Sequence, residues 1–193
     1  MGRPSKKQER TEEILQAFQR CVARFGLEGS SLERIAEEAG LQRSLVRHFV
    51  GNRDDLIAML ADRVIAQSDA QWSAFLEILP PQGAVEALLE GLFHEATSDP
   101  EFVLVIESLI FASSQKPELQ QLMQQWLKRF TDDVTGIIAR DFPQNSAEDL
   151  SAVAFGIVSL YFNLDSLAPI GLNDQYREPA YKAAQRLINS LSN

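Results

Sequence analysis

Few residues in this sequence combine type and spacing in a way that suits covalent or metal chemistry. Ser113-x-x-Lys116 has the spacing of a serine-hydrolase fragment, but its companion motifs are missing and Pro117 opens a helix directly after it. Glu90 and His94 stand one helical turn apart, which suits a shared metal, yet one pair falls far short of a ligand set. No Gly-x-Ser-x-Gly, phosphate loop or ligand cluster is present, so no catalytic residue, cofactor or metal is expected. The lone Cys21 has no disulfide partner in the chain and sits in an amphipathic run, which fits a buried thiol in a reducing cytoplasm. The denser constellation suits recognition: Gln42, Arg43, Ser44, Arg47 and His48 crowd into seven residues, interleaved with Leu45 and Val46. An arginine can grip guanine bidentately and a glutamine can read adenine, so Arg43 and Gln42 are the candidates for base edges. Arg47, His48 and Arg53, with the hydroxyls and N–H groups around Ser30 and Ser31, suit phosphates. The alternative is a solvated polar face on a small helical module.

The elements that would hold these residues are all helical. Ile14, Leu15, Phe18, Val22 and Phe25 form one apolar stripe on a helix from about Lys7 to Phe25, stopped by Gly26. Ser30 with Glu33 reads as a capping box for a short helix ending at Gly40. A second short helix follows, from Gln42 to about His48, and a turn through Val50-Gly51-Asn52. Leu41, Leu45 and the Val46, Phe49, Val50 group would hold it to its neighbours. Two short helices across a glycine turn, behind a longer support, are the parts of a helix-turn-helix. Asn52 caps the next helix, which runs unbroken to Pro80-Pro81. Asp99-Pro100 and Lys116-Pro117 open two more; Phe142-Pro143 ends the second of these, and Ser146 caps another. A last helix is expected from Asp174 to Leu191. The expected fold is all-α with about nine helices: residues 1–52 as a DNA-binding domain and 53–193 as an effector-binding and dimerisation domain.

Charge is divided along the chain. The net charge is −9, yet residues 1–56 hold ten Lys/Arg against nine Asp/Glu, and residues 57–193 hold eight against eighteen. A balanced to basic end on an acidic body suits a nucleic-acid module joined to a domain with another task. Gly2-Arg3-Pro4 reads either as a minor-groove arm or as an unstructured tail. The start lacks the apolar core of a signal peptide, and no stretch is expected to span a membrane.

The run from Arg10 to Leu56 resembles the TetR family of transcriptional regulators. The likeness is carried by Ile14, Phe25-Gly26, Ser31, Ile35-Ala36, Ala39-Gly40-Leu41, His48-Phe49 and Arg53-Asp54-Asp55-Leu56. Arg47 stands where the family usually has an aromatic at the end of the recognition helix, and Arg53 where it commonly has lysine. The resemblance implies a repressor that binds a palindromic operator in double-stranded DNA as a homodimer and is released by a small-molecule effector. An enzyme and a helical interaction protein that has lost DNA binding are the rival readings; turnover or salt-dependent duplex binding separates them.

In the body, residues 102–112 are apolar nearly all round, so their helix is expected to lie buried, with Glu107 and Ser108 as its polar interruptions. A buried carboxylate is costly unless paired, so Glu107 suits a counter-ion for a cationic ligand. Trp72, Phe75, Phe93, Phe111, Trp126, Phe130 and Tyr161 would wall the pocket. The alternatives are that Glu107 pairs with Arg129 or faces solvent, with the aromatics as plain core. Ala152, Gly156, Ser159 and Asn163 form a small-residue stripe; with Ala184, Leu187 and Leu191 it would make a two-helix dimer face. A monomer burying both faces internally is the alternative.

Overall fold

Several helices start at a side chain that caps them, whereas the helices that begin at Arg43, Ala84 and Asn173 have no side-chain cap. The computed structural model describes residues 6–95 and 99–192; Gly2-Arg3-Pro4 lies outside them. Among the described residues there are nine α-helices and no strand: α1 Lys6–Gly29, α2 Leu32–Glu38, α3 Arg43–Val50, α4 Arg53–Ile78, α5 Ala84–Phe93, α6 Pro100–Ser113, α7 Pro117–Asp141, α8 Ala147–Ser166 and α9 Asn173–Asn189. Short 3-10 turns at Ala168–Ile170 and Ser190–Ser192 follow α8 and α9. The Asn52 side-chain oxygen accepts from the N–H groups of Asp54 (2.7 Å) and Asp55 (3.0 Å), and Asp55 accepts from the Asn52 N–H in return. Asp99 accepts from the Phe102 N–H at 3.0 Å, with Pro100 in the first helical position. Ser146 accepts from the Asp149 N–H at 3.1 Å. Each cap supplies an acceptor for an N–H that the first turn of a helix leaves without a partner.

One expected detail of the N-terminal helices holds and one changes. Gly26 interrupts α1 as expected, with a non-helical φ of 67° and ψ of 173°, and a short helical stretch follows it to Gly29. The cap of α2 is Ser31 rather than Ser30: Ser31 Oγ accepts from the Arg34 N–H at 3.3 Å. Ser30 is fully buried and donates its hydroxyl to the Gly26 carbonyl at 2.7 Å, closing the kink.

The chain forms two compact units, with boundaries inside α4, α6 and α7. The first runs up to Gln71 and takes in Leu104–Met123; the second is Trp72–Val103 with Gln124–Asn193. In the first, Ile14, Phe18 and Val22 of α1 are buried, as are Ile35 and Ala36 of α2 and Val46 and Val50 of α3. Leu56, Leu60 and Val64 of α4 are buried too. Burying each large side chain contributes about 1.5–3 kcal/mol. Arg63 of α4 ties down α1 by an ion pair to Glu12 at 2.8 Å.

The second unit has its own core from α5 (Leu88, Leu92), α7 (Val134, Ile137), α8 (Leu150, Ile157) and α9 (Ala184, Ile188). The segment 147–170 is long and apolar enough to cross a membrane by length and composition, contrary to the expectation that no stretch would be. Leu150, Val153, Ile157, Val158 and Leu164 on it pack into this core.

Candidate nucleic-acid interface and helical body

The turn between α2 and α3 is built from backbone requirements. Gly40 adopts φ 65°, and the N–H groups of Gly40 and Leu41 reach back to the carbonyls of Glu37 (3.1 Å) and Ala36 (2.8 Å). This paired closure satisfies the end of α2 and needs glycine at the left-handed position. It delivers α3 with Val46 and Val50, one turn apart, buried beneath it. Gln42, Arg43, Ser44, Arg47 and His48 are therefore all exposed. So is Leu45, at 37%, although it was expected to hold the helix down. Arg43 Nη1 meets Glu33 of α2 at 2.6 Å, and the His48 ring packs edge-on to Phe49.

Two residues assigned to phosphates have structural partners instead. The Ser30 hydroxyl is buried on Gly26, as described. The Arg53 guanidinium donates to the carbonyls of Leu27 and, at 3.0 Å, Ser30, so it clasps the segment after the α1 kink to the start of α4. Phe25, half exposed at 50%, lies outside the α1 stripe; the Arg34 guanidinium covers one face of its ring at 4.7 Å.

The aromatics of the second unit form a continuous network rather than scattered core. Trp72 stacks on Phe75 at 5.4 Å and meets Phe130 edge-on at 4.6 Å. Phe130 continues to Tyr161 and Phe162, and Phe162 to Trp126. The Trp72 indole donates to Asp133 at 2.9 Å. Phe93 has another neighbour, Tyr181, at 6.3 Å. The Tyr161 hydroxyl is pushed up to about 12 by burial, reinforced by the negative charges of Asp165 and Asp99. Asp165 is a carboxylate that sequence reasoning missed: it is 2% exposed and accepts from the Asp99 N–H at 3.1 Å.

Glu107 and Phe111 belong to the first unit; α6 buries Phe102, Val103, Val105, Ile106 and Leu109 as expected, but Glu107 is not buried with them and faces outward, the alternative reading. Glu107, Ile110 and Phe111 are exposed, Phe111 at 84%. Glu107 and Phe111 line a groove together with Val22, Ala23, Phe25, Gly26, Leu27 and Glu28 of α1. The remaining chemical candidates have partners within the chain: Ser113 donates its hydroxyl to the Ile110 carbonyl, Lys116 pairs with Asp54, and Glu90 accepts from the Tyr181 hydroxyl.

The stripe on α8 divides in two. Ala152, Ser159 and Asn163 are exposed, and the same side carries Phe155, 62% exposed, which sequence reasoning passed over. Gly156 instead meets the chain's own α9: a Cβ there would lie 2.9 Å from Leu187 Cδ1. Ala184 and Leu191, expected on a dimer face, are buried in the core of their own unit.

No family model matches the chain. The regulator BetI 1 of Chromohalobacter salexigens is 23% identical over 184 residues, covering 89% of this chain and 87% of that protein. The transcriptional repressor AcnR of Corynebacterium diphtheriae is 31% identical over 90 residues, covering 47% and 44%. A TetR regulator from Haloarcula marismortui superposes with a TM-score of 0.77 at 19% identity, covering 94% of this chain and 97% of that one. A transcriptional regulator from Saccharomonospora viridis, solved in complex with choline, superposes with a TM-score of 0.77 at 16% identity, covering 94% and 96%.

Proposed function

We propose that this chain, a helix-turn-helix transcriptional regulator of the TetR family, is a cytoplasmic repressor that binds a palindromic operator as a homodimer and releases it when a small molecule binds. The observation that carries the reading is α3, a helix whose valines are buried while Gln42, Arg43, Ser44, Arg47 and His48 all face outward. Such a helix can lie in the major groove with Arg43 and Gln42 at base edges and Ser44, Arg47 and His48 along the walls. Ser31, at the start of α2, is the hydroxyl left to meet a phosphate. Residues 1–52 act as the DNA-binding part and 53–193 as the effector-binding and dimerisation part.

Two further features support regulation by ligand and assembly. The network from Phe75 through Trp72, Phe130 and Phe162 to Trp126, with Tyr161 beside Phe130, is the surface we assign to the effector, and aromatic faces favour organic cations. A structural neighbour was solved with choline, a quaternary ammonium. The exposed side of α8, with Ala152, Phe155, Ser159 and Asn163, is the surface we assign to the dimer. A two-fold pair would set its recognition helices about 34–36 Å apart, one turn of DNA. Effector binding favours another spacing, by its difference in affinity for the two states. Selecting bound duplexes from random DNA, then screening small molecules for release of the winner, tests the reading. Enrichment of an inverted repeat is the expected result; no enrichment rejects it.

A further inference from the structure

The first unit contains a groove of about 620 Å³, and no residue of the aromatic network is among those that line it. Its apolar wall comes from Val22 and Leu27 of α1, Ile57 of α4, and Leu104 and Phe111 of α6. Volume and lining fall in the range of small-molecule sites, about 300–1,000 Å³ and mostly apolar. The charged residues lining it are two carboxylates, Glu28 and Glu107, and one ammonium, Lys116, which also meets Asp54. Phe25 and Phe111 add two exposed rings, and Phe25 already holds the Arg34 guanidinium over one face. An apolar trough with carboxylates and ring faces beside it complements an organic cation that carries an apolar body.

We propose that this groove binds an amphipathic organic cation, at a site separate from the aromatic network, and that occupancy biases the first turn of α4. The walls are tied to that turn at two points. Arg53 clasps the carbonyls of Leu27 and Ser30, just after the kink at Gly26. Lys116, which lines the groove, pairs with Asp54. Asp54 and Asp55 in turn share the Asn52 cap that follows α3, so a molecule wedged between α1 and α6 acts on the mount of the recognition helix. The effect on operator release rests on the proposed function; binding in the groove does not.

Calorimetric titration of the full chain with benzyltrimethylammonium, and with its neutral isostere neopentylbenzene, tests the site. Saturable binding of the cation is expected, with the isostere weaker. Glu107→Gln should weaken the cation about threefold, the scale of an exposed charge pair. Ala112→Trp, which fills the groove, should weaken it roughly tenfold or more by excluding the ligand from its apolar wall. Phe111→Ala, which removes a largely exposed ring from the edge of the groove, gives a second reading of the same wall should Ala112→Trp fail to fold. No saturable binding, or equal binding by the isostere, overturns the proposal. So does the reverse pattern, with affinity kept in Ala112→Trp and Phe111→Ala but lost in Phe130→Leu, which places the cation in the aromatic network. An operator duplex competed with the same cation then separates the two readings. Binding without release retains the groove as a site but removes its coupling to α4, and absence of duplex binding rejects the proposed function alone.

Discussion

Arg43 Nη1 lies 2.6 Å from Glu33 Oε1, so the residue best suited to read a base is held by a carboxylate on the preceding helix. Glu33's own backbone N–H, Arg43's charge and Ser31's hydroxyl hold the Glu33 carboxyl below the usual carboxylate range. Both side chains are well exposed, so water and salt screen the pair and a guanine edge can displace it. Arg43→Ala should cost roughly 1–3 kcal/mol on the best duplex and relax its sequence preference. Glu33→Gln should tighten binding by up to about fivefold, because it releases Arg43 and removes a negative charge near the phosphates. Anisotropy titrations over a salt series check both. Undiminished selectivity in Arg43→Ala would move base reading to another residue.

Arg53 carries the second prediction. By sequence it suits phosphate, yet its guanidinium donates to two backbone carbonyls, those of Leu27 and Ser30. Removing it leaves partly buried acceptors without their charged donor, at about 1–3 kcal/mol. Arg53→Ala should lower the melting temperature and weaken all duplexes alike, with Arg53→Lys intermediate because lysine lacks the planar fork. A variant that melts like wild type but shows a flatter salt slope would restore the phosphate role.

The difference between these two arginines shows where sequence reading succeeds. Caps are local, a side chain bonding to N–H groups two or three residues on, so Asn52, Asp99-Pro100 and Ser146 were legible one by one. The choice between Ser30 and Ser31 was not, because it depends on where the chain leaves the kink at Gly26. Periodicity marks Phe25 and Phe111 as apolar but cannot say what covers them: Phe25 is half exposed with Arg34 over one face, and Phe111 is 84% exposed. Glu107 drew attention because its sequence neighbours are apolar. The buried carboxylate is Asp165, which is close to a helix end and meets a residue 66 positions away. The small-residue stripe announced a close helix approach, but spacing does not reveal whether the approaching helix belongs to the same chain.

Acid sensitivity follows from the tie between α1 and α4. The hydrogen bond from Arg63, helped by one from Gln16, holds the Glu12 carboxyl below its usual 4.5 against the opposing effect of partial burial. A lowered folded-state value means the contribution is present above about pH 4.5 and lost as pH falls through the lowered value. Glu12→Gln should therefore melt below wild type at pH 7, and the gap should close in acid. Thermal melts at pH 7 and pH 3 measure it; a gap that persists at pH 3 would assign the loss to packing rather than charge.

The last prediction separates assembly from folding on α8. Gly156 and Phe155 are adjacent, but they face different neighbours. A Cβ at Gly156 would press on Leu187 Cδ1 at 2.9 Å, so Gly156→Leu overpacks the chain's own α8–α9 contact, at about 1–3 kcal/mol. Any loss of dimer in that variant would follow from a damaged unit. Phe155 is 62% exposed, and replacing it removes no interior packing of comparable size. Phe155→Glu should keep the melting profile of the isolated chain while placing a charge in the middle of the proposed interface. Sedimentation at micromolar concentration should then show the variant as monomer where wild type is dimer, and operator affinity should fall with it, since each half-site contributes to the bound pair. If Phe155→Glu sediments as wild type does, the exposed face of α8 is not where two chains meet.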